Sequence, residues 1–280
     1  MHFSKPSNTN LCSIYRTFSL VLVLSFILIA CYKAPVTGRS QFIILSQSQE
    51  NEMGLQAYQE VLKDEKMSNN PSYNSSVKRV GQRIASVSDT PNYEWEFKVV
   101  DNDEQINAFA LPGGKVAVYT GILPVAETEA GLATVMAHEV AHVAARHGGE
   151  RVSTDVLVQL GAAGLGAALG GQNPQVANAV MQAYGLGATL GAVLPFSRAQ
   201  ESEADRIGLV YMAKAGYDPR EAAAFWIRMD KAVKGKSQPP EFLSTHPGYG
   251  TRIKNIQKYL PEAMVFYEQA RKAPNKSIIN

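Results

Sequence analysis

The sequence predicts an α+β domain, mainly helical with a small β-sheet. Apolar residues recur at helical spacing in three stretches, around 48–62, 72–86 and 129–147. Between the second and third lie three short runs of alternating character, bounded by turn residues, which read as strands. A chain of 280 residues that is 45% hydrophobic can bury one sizeable core.

The elements follow in order. The first helix starts near Ser48, carries Glu52, Leu55, Tyr58, Val61 and Leu62, and is broken at Ser68-Asn69-Asn70-Pro71. The second runs from Ser72 to Ser86, with Val77, Val80, Ile84 and Val87 on one face. Asp89-Thr90-Pro91-Asn92 is a turn. Strands are expected over Tyr93–Val100, Gln105–Ala110 and Lys115–Thr120, with Leu111-Pro112-Gly113-Gly114 joining the last two. Thr128 suits the N-cap of the third helix, and Gly148-Gly149 its end. Leu132, Val135, Met136, Val140 and Val143 make that helix largely buried. A final helix is expected after Pro261.

The region at about 153–195 is rich in Gly and Ala and interrupted by Gln172-Asn173-Pro174-Gln175. Its apolar runs are too broken to span a bilayer. It reads as a helical insertion, either a lid over a cleft or a static hairpin held by small residues.

The N-terminus reads separately. Lys5 and Arg16 are the only ionised side chains before residue 31, and an apolar run Leu20–Ala30 follows. That run has the length of a signal-peptide core rather than a spanning helix. It ends in Leu28-Ile29-Ala30-Cys31, which resembles the bacterial lipobox. Residues 1–30 are therefore expected to be a lipoprotein signal peptide, Cys31 a lipidated anchor to a membrane, and 31–47 a linker leading to a domain over 48–280. Tyr32 in place of Asp favours the outer membrane, and a periplasmic face of the bacterial envelope. The other cysteine, Cys12, lies in the leader. The net charge of +2 gives no strong basic field, so nucleic acid is not an expected partner.

The chemistry is carried by His138-Glu139-Val140-Ala141-His142. Two histidines four apart share one helical face, so their ring nitrogens can converge on one metal ion. Glu139, beside the first ligand, reaches a metal-bound water and acts as general base. Zinc suits the set, one Zn2+ per chain. Buried without a metal, these polar groups would cost desolvation energy on an apolar helix. A third ligand must come from downstream. In Phe196-Ser197-Arg198-Ala199-Gln200-Glu201-Ser202-Glu203-Ala204-Asp205, Glu201 and Asp205 share a face, and Glu203 competes with Glu201 on spacing. Asp205 could accept the second N–H of a ligand histidine. His147 has no partner at ligand spacing and reads as structural or as an outer partner of a ligand.

These words, together with Asn107-Ala108-Phe109-Ala110, Pro112-Gly113-Gly114, Arg146-His147, Ser197-Arg198 and Thr245-His246-Pro247, resemble the M48 zinc metallopeptidases. That gluzincin-type group includes HtpX-like, prenyl-protein and mitochondrial Oma1-like proteases. The resemblance covers roughly residues 48 to 260 and is nearest to the lipoprotein-type periplasmic branch. It implies a zincin-like fold, Glu201 as third zinc ligand and Asp205 behind it. It also implies that His246 and Arg252 help stabilise the transition state, with His246 a candidate to swing onto the zinc and quiet the resting enzyme. Residues Asn107 to Ala110 would form an edge strand to which an extended polypeptide substrate adds.

The function expected is zinc-dependent endopeptidase cleavage of misfolded or membrane-associated proteins in the cell envelope. Two rivals stand beside it: a chaperone or assembly factor working with outer-membrane assembly machinery, and a zinc hydrolase of another amide bond.

Overall fold

The computed structural model describes residues 31–90, 92–168, 196–234, 241–246 and 249–272. The expected signal peptide and most of the Gly/Ala-rich insertion lie outside the described residues.

The chain opens with a hairpin, β1 (Cys31–Lys33) and β2 (Ser40–Phe42), paired antiparallel with Cys31 opposite Phe42. Helices α1 (Gln47–Leu62) and α2 (Pro71–Ala85) follow. Both starts are capped. Ser46 and Gln49 form a capping box, and Asn70 accepts from Ser72 and Tyr73 ahead of Pro71. Strands β3 (Glu96–Val100), β4 (Ala108–Leu111) and β5 (Lys115–Tyr119) form one sheet in the order β3-β5-β4. β5 pairs parallel with β3 and antiparallel with β4. After the short α3 (Leu123–Ala126) come α4 (Glu129–Ala144), α5 (His147–Ala168), α6 (Arg198–Lys214), α7 (Glu221–Val233), α8 (Glu241–Thr245) and α9 (Tyr249–Lys272).

The expected α+β architecture is the observed one, and α4 is its centre. Every residue from Gly131 to Ala144 is buried. A helix apolar on all sides belongs inside a domain, and here α2, α6, α7 and β4 surround it. α6 lies closest because Gly208 faces it: a Cβ there would sit 3.1 Å from the backbone nitrogen of His138. That approach brings two helices that carry chemistry into register.

Three local expectations change. Residues 31–47 are not a free linker. The hairpin is held to the body by Tyr32, whose hydroxyl donates to the Ala144 carbonyl at 2.9 Å, and by Arg39, which pairs with Glu150 and Glu203. Nothing local in that polar segment announces partners more than a hundred residues away. The third helix stops at Ala144 rather than at Gly148-Gly149, because Arg146 adopts a left-handed φ of 53° and a new helix starts at once. Arg146 is held in that bend by Glu50 at 2.7 Å and the Leu45 carbonyl at 2.8 Å. Finally, Pro261 lies inside α9 rather than before a separate helix, at the cost of one backbone hydrogen bond. Among the described residues, no helix is long and apolar enough to cross a membrane.

Candidate metal centre

α4 starts cleanly, with Thr128 accepting from the Gly131 amide at 3.0 Å. Its 3.6-residue period then places His138 and His142 one above the other. α6 starts at a capping box between Ser197 and Gln200, which sets Glu201 in its first turn where the helix dipole favours a carboxylate. His246 follows α8, and Arg252 enters from the start of α9.

These elements bring four donor atoms together, from His138, His142, Glu201 and His246, all within 4.8 Å of one another. Nε2 of His138 lies 3.1 Å from Nε2 of His142, 3.4 Å from a Glu201 oxygen and 3.3 Å from Nδ1 of His246. His142 lies 3.3 Å, and His246 3.1 Å, from the other Glu201 oxygen. A tetrahedral zinc with bonds of about 2.0–2.1 Å holds its donors about 3.3–3.4 Å apart. The donor set and its spacing therefore fit zinc. Protonation agrees. Burial holds His142 far below the usual imidazole range, so it is neutral and has a lone pair to offer. Burial pushes Glu201 up, but the ring nitrogens of His138, His142 and His246 beside it outweigh burial and keep the carboxylate ionised.

Glu139 is buried, and its Oε1 lacks a hydrogen-bond partner. A buried carboxylate oxygen left bare is costly, and this one faces the cluster, 3.4 Å from Nε2 of His246. Burial pushes its pKa up, toward the range useful to a base at neutral pH.

Asp205 lies 3.2 Å from Nδ1 of His138, on the side away from the donors. Arg252 is buried beside both, its Nη2 2.8 Å from Nδ1 and 3.1 Å from Nε2 of His138. The guanidinium donates to Glu201 at 2.8 Å, bonds Asp205, and lies 3.9 Å above the Trp226 ring. It thus braces two carboxylates rather than facing open space. Trp226 and Phe196, which stacks on the His142 ring at 3.9 Å, carry no signal in the sequence. Their roles depend on packing alone. Glu203 does not compete for the cluster; it bonds His147 at 3.0 Å and Arg39 at 2.6 Å.

Asn107 precedes β4, and Ala108, Phe109 and Ala110 lie in it, at the edge of the sheet beside α4. Tyr119 donates to the Asn107 carbonyl at 3.0 Å. Antiparallel pairing alternates, so Phe109 and Leu111 also bond toward β5, while Ala108 and Ala110 turn their backbone groups to the outer edge, which pairs with no strand among the described residues.

A family model described as peptidase family M48 matches residues 71–260. The chain is 40% identical over 238 residues to the mitochondrial metalloendopeptidase OMA1 of Schizosaccharomyces pombe, covering 82% of this chain and 67% of that one. It is 34% identical to the Saccharomyces cerevisiae OMA1, covering 85% and 71%. It is also 31% identical to the beta-barrel assembly-enhancing protease of Escherichia coli, covering 76% and 44%. The expected bacterial outer-membrane location is overturned by these relatives, since those of higher identity are named as mitochondrial enzymes. The lipid expected on Cys31 was tied to that location; in the fold, Cys31 begins β1. On sequence, donor geometry and kinship together, the chain belongs to peptidase family M48 and is a zinc-dependent metalloendopeptidase.

Proposed function

We propose that the chain cleaves unfolded or misassembled proteins, membrane-associated ones included, with His138, His142 and Glu201 holding zinc and Glu139 acting as base. The outer edge of β4 beside the ligand helix carries this reading. A substrate that adds to an edge by backbone hydrogen bonds is read by its extended shape, whatever its side chains. Folded proteins seldom offer such a segment, and unfolded ones do.

Zinc bound at the cluster supplies a Lewis acid for the scissile carbonyl and lowers the pKa of a coordinated water to about 7. Glu139 takes the proton from the attacking water on Oε1 and delivers it to the amine nitrogen as the C–N bond breaks. Asp205 and Arg252 hold His138 and Glu201 in place throughout. His246 occupies the remaining corner of the donor set, so it must move aside before water and substrate enter.

The test is cleavage of an unfolded model protein by the zinc-loaded full chain and its Glu139→Gln variant. Activity in the first and none in the second supports the reading. A second reading, assembly of other proteins with the peptidase held silent, is favoured by the placement of His246 and by the name of the Escherichia coli relative. Under that reading, Glu139→Gln keeps its effect on assembly.

A further inference from the structure

The face of His142 that points away from the donors is engaged. Its Nδ1 lies 2.9 Å from Nδ1 of His147, and Nε2 of His147 lies 3.0 Å from Glu203. One proton arrangement serves a metal ligand. Nε2 of His142 must offer its lone pair, so its Nδ1 carries the hydrogen and donates it. His147 then accepts at Nδ1 and donates from Nε2 to the Glu203 carboxylate. Glu203 is itself held from the N-terminal hairpin, by the Thr37 hydroxyl and by Nε of Arg39 at 2.6 Å. The remaining Arg39 nitrogens grip Glu150 at 2.5 and 2.8 Å.

The bend at Arg146 is what makes this possible. Residues five apart on a continuous helix do not face each other. The left-handed Arg146 ends α4 and turns His147 back against His142.

We propose that His147 and Glu203 are positioning residues for the zinc ligand His142, and that Arg39 of the hairpin completes the chain. The hairpin then belongs to the metal centre, although it lies outside the family-matched residues 71–260. Such outer partners fix the tautomer and ring angle of a ligand histidine and strengthen it as a donor. This inference rests on the zinc reading of the four-donor cluster.

The test is zinc affinity of the full chain by competition with a chelator, with the thermal midpoint of the zinc-free protein measured alongside. Glu203→Gln keeps size and should weaken zinc binding by about 10–100-fold, the usual range for losing an outer partner. Arg39→Ala should weaken it in the same direction by less, and Arg39→Lys should recover part of the loss. Glu262→Ala, which breaks the outward pair between Glu262 of α9 and Arg206 of the helix that carries Glu203, should leave affinity unchanged. A purely structural role predicts lowered midpoints with wild-type affinity in Glu203→Gln and Arg39→Ala, and that result overturns the proposal. If Glu203→Gln does not fold, Arg39→Ala and Arg39→Lys decide it by the same criterion. His142→Ala separates the two levels. Zinc lost there but unchanged in the other variants sinks this inference alone, whereas zinc retained there sinks the cluster reading with it.

Discussion

Nε2 of His246 lies 3.4 Å from Oε1 of Glu139, while its Nδ1 shares the donor cluster with Glu201. One side chain thus sits against both the proposed third ligand and the proposed base. With His246 in that corner, the place that water needs is taken. His246→Ala should therefore raise cleavage of an unfolded protein. The gain is about tenfold if the blocked arrangement is favoured by about 1.4 kcal/mol. Lower activity with zinc retained would instead make His246 a group that assists the reaction.

Arg252 pairs with both Glu201 and Asp205, and all three are buried. Removing one member of such a group leaves charges stranded. Arg252→Ala should cost about 3–5 kcal/mol of stability in urea unfolding of the zinc-free protein. Arg252→Lys should recover only part, because an ammonium cannot fork to two carboxylates while stacking on Trp226. Full recovery by lysine would show that charge alone matters here.

The β4 edge offers a direct test through its backbone. Ala110→Pro removes an amide that points outward, not one that bonds β5. It should lower kcat/KM on unfolded substrates about tenfold, the worth of one hydrogen bond of about 1.4 kcal/mol, with little change in unfolding midpoint. Unaltered kcat/KM would show that substrate binds elsewhere.

Stability should also respond to acid through Glu203. Burial raises its pKa, but hydrogen bonds from His147, Thr37 and Arg39 prevail and set it at about 2, against an ordinary value of 4.5. A carboxylate depressed on folding stabilises the fold above its unfolded pKa. That contribution fades as pH falls from 4.5 toward about 2. Denaturation of the zinc-free protein across this window should show a smaller loss in Glu203→Gln than in wild type. Equal slopes would place the acid response on other groups.

Much of the centre was legible because helix periodicity converts spacing into direction. His138 and His142 had to share a face, and so did Glu201 and Asp205. Spacing left Glu203 open as a ligand, since residues two apart on one short acidic stretch differ only in which way they point. The α4–α6 packing resolved it: Glu201 faces His138 and His142, and Glu203 faces His147 and Arg39.

The sequence by itself determined the α+β class, the strand that became the sheet edge, the helix of the candidate metal centre and two of its donors, His138 and His142, because these depend on local pattern and on residue chemistry. Only the tertiary structure decided that residues 31–42 brace the centre, that Arg252 lies beside His138 and Glu201 on Trp226, and that His147 turns back onto His142. Those relationships join residues far apart in the chain or hang on a single left-handed residue. No period or spacing encodes them, and they exist only once the helices have packed.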